Sequence, residues 1–87
     1  MPPSPATPDD TALAVAFGAR LRGFRESRRM TQEKLGQAAG IASSTISHIE
    51  NGRRGNVSLS RIMRLAAALG CQPGALTNGL PVPTGDE

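Results

Sequence analysis

The sequence predicts an all-α fold, a compact domain of five short helices, and three observations lead there. The chain has 87 residues, 38% of them apolar, which is enough for one small core and not for two. Only Phe17 and Phe24 are aromatic. The core must therefore be mostly Leu, Ile, Val, Ala and Met, which suits close-packed helices better than a sandwich or barrel. Apolar residues also recur at helical spacing between clear start and stop signals.

The first helix is expected to start at Asp9–Thr11, where Asp or Thr can cap the free amides. Leu13, Phe17, Leu21 and Phe24 then form one stripe, and arginines fill much of the remaining surface. Gly18 and Gly23 weaken this helix by about 1 kcal/mol each relative to Ala, unless they admit a neighbouring helix. The second helix has Thr31 as its cap, Leu35, Ala38 and Ala39 as its apolar face, and Gly40 as a left-handed stop. Ile41 plugs the core from the turn.

The third helix spans Ser43 to Glu50 or Asn51. Ile46 and Ile49 face inward, while Ser43, Ser44, Thr45, Ser47 and His48 leave the other faces small and polar. Asn51-Gly52 ends it, and Arg53-Arg54-Gly55-Asn56 forms a basic loop. Ser58 caps a fourth helix whose stripe is Leu59, Ile62, Met63, Leu65, Ala66 and Leu69, closed by Gly70. Pro73 opens a short fifth helix carrying Leu76, with Leu80 beyond it. The expected organisation is a disordered Pro-rich arm over residues 1–8, a folded domain over 9–80 and a disordered tail over 81–87.

Charge narrows the function. Between Phe17 and Gly70 there are ten Lys/Arg against Glu26, Glu33 and Glu50, a net of +7. Such a field draws polyanions. Cys71 is the only cysteine and His48 the only histidine, so neither an intrachain disulfide nor a zinc site is expected. No cofactor is expected. No apolar run reaches the ~18 residues of a membrane span, and the N-terminus lacks the pattern of a signal peptide. A cytoplasmic location follows as an expectation. Catalysis is not expected either, because no acid is placed to orient His48 beside a nucleophile.

The run L-R-x-x-R-E-x-R-x-M-T-Q-E-K-L-G-Q-A-A-G-I-x-x-S-T-I-S-x-I-E-N-G, Leu21 to Gly52, resembles the phage-repressor and Cro-type (xenobiotic-response-element-like) helix-turn-helix family of transcriptional regulators. The likeness continues through S-L-S-R-I-M-R-L-A-A-A-L-G, Ser58 to Gly70. It implies a lambda-repressor-like five-helix DNA-binding domain. The second helix would lie over the DNA backbone and the third would enter the major groove. It also implies a homodimer on a two-fold symmetric operator in double-stranded DNA. With no separate ligand domain visible, no small-molecule effector is expected.

Within that resemblance each candidate has a role. Ser43, Ser44, Thr45, Ser47 and His48 are the base-reading candidates, His48 the most selective because it can donate to guanine N7 or O6. Gln32, at the first turn of the second helix, matches a phosphate-holding position, as the physics of helix starts allows. Asn51, Arg53 and Arg54 suit phosphate clamping. Arg25 and Glu50 match an ion pair that ties the first helix to the end of the third, and Arg25 is also a phosphate candidate.

Three departures stand out. Ala42 occupies the usual cap position of the third helix, leaving Ser43 or Ser44 to cap it. Gly36 replaces the usual Ala at the helix–helix contact. Arg54-Gly55-Asn56-Val57 stands where many members have a shorter loop ending in proline. The rival reading is an antitoxin-type protein-interaction module, with Val15, Leu76 and Leu80 as its partner surface. Non-specific coating of nucleic acid is disfavoured because both aromatics are expected in the core.

Overall fold

The computed structural model describes residues 8–54 and 56–82. Five helices follow in order: α1 (Pro8–Ser27), α2 (Gln32–Ala39), α3 (Ser43–Glu50), α4 (Leu59–Leu69) and α5 (Pro73–Thr77). No strand occurs among the described residues. The arm expected over residues 1–8 lies outside the described residues except for Pro8, which opens α1. The tail expected over 81–87 is described only at Pro81 and Val82.

Local chemistry sets the boundaries. Thr31 accepts from the Lys34 N–H and Ser58 from the Arg61 N–H, each capping the helix that follows it. Gly40 and Gly70 end α2 and α4 with φ of 71° and 70°, a conformation that costs a side-chain-bearing residue about 1–2 kcal/mol. α1 ends without a glycine. Arg29 takes φ 57° instead, and the Met30 N–H returns to the Arg25 carbonyl at 3.1 Å.

Phe17, Leu21, Leu35, Ala39, Ile41, Ile46, Ile49, Leu65, Ala66, Leu69 and Leu76 form one core drawn from all five helices and the α2–α3 turn. Leu59 does not join it, contrary to the expectation from its spacing. It is 73% exposed, and Met63 is half exposed. Burial fades along α4 from Leu65 and Leu69 through half-buried Ile62 to Leu59, which lies beyond the elements packed against the core. Phe24 is also only half-buried, with the Arg28 guanidinium 4.9 Å from its ring centre. Leu76 is fully buried, so it cannot belong to a partner surface.

Two arginines fasten the periphery. Arg20 donates to the Ala75 and Asn78 carbonyls at the end of α5. Arg28 donates from Nε to the Leu69 carbonyl at the end of α4. Both neutralise helix C-termini, where a cation is favoured.

Candidate nucleic-acid interface

α2 and α3 meet through a tight turn. The Ile41 N–H reaches back to the Gly36 carbonyl at 2.9 Å. A Cβ at Gly36 would overlap the Ile41 carbonyl oxygen, so glycine is what allows this turn to sit flat on α2. The same device brings α1 onto the end of α3, where a Cβ at Gly18 would overlap the Ile49 carbonyl. Gly23 has no neighbour of this kind; its freedom has no packing role.

These close approaches hold α3 by one face. Ile46, Ile49 and Glu50 are buried. Ser44, His48 and Asn51 are exposed, while Ser43, Thr45 and Ser47 are half-buried. The base-reading candidates thus share one accessible rod, with Ser44 and His48 most prominent. Ala42 is the N-cap of α3 and makes no side-chain cap bond. The expectation that Ser43 or Ser44 caps in its place fails: both residues are already helical, so their hydroxyls lie past the capping position. Neither hydroxyl is consumed by capping.

Behind the rod lies an ion-pair network. Arg25 Nε donates to Glu50 Oε2 at 2.6 Å and Nη2 to Oε1 at 2.9 Å. Its Nη1 donates to the Met30 carbonyl at 2.7 Å. Gln32 Nε2 adds a third bond to the carboxylate, to Oε1 at 3.1 Å. The hydrogen bond to Glu50 raises the Arg25 pKa above its ordinary value, with burial opposing and the nearby charges of Glu50 and Glu26 assisting. With its guanidinium turned inward on three sides, Arg25 is not available to a phosphate, and that expectation is withdrawn. Gln32 is half-buried and its side-chain amide turns to Glu50. Its backbone N–H lies in the first turn of α2, where amides have no partner within the helix.

The basic loop completes the surface. His48, Arg53, Arg54 and Asn56 line one concavity beside the end of α3. Asn56 was not among the residues singled out from sequence; its position in the basic loop is the only signal it carries. Arg54 also borders an apolar groove of about 280 Å³ lined by Leu13, Phe17, Val57, Ile62, Leu80 and Val82, among others. Among the described residues no cluster of His, Cys, Asp and Glu could hold a metal, and no helix is long and apolar enough to cross a membrane.

Residues 16–80, which include the short pair of helices joined by a glycine turn, match the family described as "Helix-turn-helix domain". The chain belongs to this helix-turn-helix family. Among its relatives, the HTH-type transcriptional regulator RghRB of Bacillus subtilis is 47% identical over 53 residues, 61% of this chain and 38% of that protein. Control protein C.BamHI of Bacillus amyloliquefaciens is 42% identical over 62 residues, 70% of this chain and 75% of that protein. The restriction-modification controller protein C.AhdI of Aeromonas hydrophila superposes with a TM-score of 0.70 at 41% identity, over 72% of this chain and 94% of that one. This chain thus spans nearly all of the controller structure but only about two fifths of the length of the Bacillus subtilis regulator.

Proposed function

We propose that this helix-turn-helix chain binds double-stranded DNA sequence-specifically and regulates transcription, as a repressor or controller. One observation carries the reading: a helix of small hydroxyls and one imidazole stands outward, flanked by Arg53, Arg54 and Asn56 in a shared concavity. α3 enters the major groove and reads base edges with Ser43, Ser44, Thr45, Ser47 and His48. Gln32, through its backbone N–H, and Asn51, Arg53 and Arg54 hold phosphates on either side. The partner is a two-fold symmetric operator bound by a homodimer in the cytoplasm. The role is binding without catalysis, with no cofactor and no small-molecule effector.

The relatives named as regulators and control proteins favour this reading over an antitoxin-type module. So does the burial of Leu76, which removes one of the three residues that module would present. Selection of bound duplexes from a random pool at about 0.15 M salt, near physiological ionic strength, tests the proposal. Enrichment of a palindromic site is the expected result. Recovery of unenriched sequence would overturn it.

A further inference from the structure

The hydroxyls of the recognition helix are not equivalent. A serine hydroxyl has one O–H to give and two lone pairs to receive with, so alone it suits either a donor or an acceptor on a base edge. Ser47 differs from its neighbours. Asn51, one helical turn further on, donates from Nδ2 to Ser47 Oγ at 3.4 Å. Both residues retain access to solvent on the outer side of α3. No capping bond engages Ser43 or Ser44.

From this geometry, and resting on the DNA-binding reading above, we infer that Asn51 is a positioning residue that biases the Ser47 hydroxyl toward donating. The amide fills one of the two lone pairs of Oγ. One lone pair and the O–H remain, and the accepted hydrogen bond polarises that O–H into the better of the two. Ser47 therefore selects a base edge that accepts: guanine N7 or O6, adenine N7 or thymine O4. It disfavours an edge that presents an amino group, such as cytosine N4. Of the short hydroxyls on this helix, Ser47 becomes the one with a definite preference.

The side chain at position 51 sets the sign. An aspartate there can only accept, so it would draw the Ser47 O–H toward itself and turn the oxygen's lone pairs outward. The test uses the full chain and a duplex obtained by the selection described above, with each base pair varied in turn. Ser47→Ala identifies the base pair that residue 47 faces, as the position where its discrimination falls by about 3- to 10-fold, the size of one hydrogen bond. Asn51→Asp is then measured on the four duplexes that differ only at that pair, taking ratios of affinity so that a uniform loss from phosphate repulsion cancels.

The expected result is a preference at that pair, and nowhere else, that moves from an accepting to an amino-presenting edge. Asn51→Ala should flatten the preference without reversing it. Unchanged ratios in Asn51→Asp, in a protein that still selects its site, would overturn this inference and leave the DNA-binding reading standing. Failure of the unmodified chain to discriminate between any duplexes would overturn both.

Discussion

Arg25 and Glu50 meet across the interior as a two-pronged pair, Nε to Oε2 at 2.6 Å and Nη2 to Oε1 at 2.9 Å, with the Glu50 side chain almost wholly buried. The pair joins the end of α1 to the end of α3. Gln32 closes the arrangement from the start of α2. The orientation of the outward-facing helix is therefore set by three elements at one carboxylate.

Removing one partner strands the other's charge inside the protein. Arg25→Met keeps most of the side-chain volume but leaves the Glu50 carboxylate with Gln32 alone. A loss of about 3 kcal/mol is expected from urea denaturation. The double variant Arg25→Met/Glu50→Leu should recover most of it, since a buried ion pair is stabilising mainly relative to its own halves. If the double variant is as unstable as the single, the cost lies elsewhere. Because Glu50 holds the Arg25 pKa up, this stability is complete below the guanidinium's unfolded pKa and is lost only as pH rises through the higher folded one. On the alkaline side, no loss from Arg25 deprotonation is expected up to a pH of about 10.

The glycines of α1 and α2 should respond in opposite directions. Gly36→Ala and Gly18→Ala each drive a methyl into a backbone carbonyl, and a loss of about 1–3 kcal/mol is expected. Gly23→Ala meets open space and should add up to about 1 kcal/mol through helix propensity. Denaturation midpoints of the three variants check this. A stabilised Gly36→Ala would show that the α2–α3 turn yields more readily than its geometry implies.

Ala42→Ser should stabilise the domain by about 0.5–2 kcal/mol. Residue 42 is already at the N-cap with φ −60° and ψ 141°, and only the oxygen is missing. Thermal unfolding gives the readout, with roughly 4–8 °C expected per kcal/mol for a domain of this size. No change would mean that the first amides of α3 are already satisfied by water.

Binding variants should separate into two kinds. Arg53→Ala or Arg54→Ala should weaken binding to every duplex and flatten the dependence of log K on log salt by about 1 per lost phosphate contact. His48→Ala should leave that slope alone and relax preference at one base pair, by about tenfold. Titrations across a salt series on selected and scrambled duplexes distinguish them. A His48→Ala variant with unchanged preference removes the imidazole from the reading set.

A bound dimer should present two copies of α3 about 34 Å apart, one turn of DNA. Hydroxyl-radical footprinting should then show two protected patches on one face of the duplex, and sedimentation should give two chains per operator. A single protected half-site bound by one chain at all concentrations contradicts the symmetric arrangement.

Much of this was legible residue by residue because the signals act locally. Thr31 and Ser58 cap through their own hydroxyls. Gly40 and Gly70 stop helices because a left-handed residue is needed there. Pro73 opens α5 because its missing N–H would have no partner at a helix start. The alternation of Ile46 and Ile49 with serines marks which side of α3 faces water. Leu59 misled for the same reason: its spacing is helical, but spacing cannot say where along a helix the neighbouring elements run out.

The amino-acid order by itself determined the five helices, the starts and stops of α2, α3 and α4, most of the core and the polar rod of α3, since each depends on interactions within a few residues. Only the tertiary structure decided how the charges are used. Arg20 and Arg28 close the ends of α5 and α4, Arg25 is turned inward, and the Gln32 amide is drawn to Glu50, while Arg53 and Arg54 stay at the surface beside His48. An arginine has the same pattern in sequence whether it holds a carbonyl or faces solvent. Its fate rests on which distant carbonyl or carboxylate folding brings within reach.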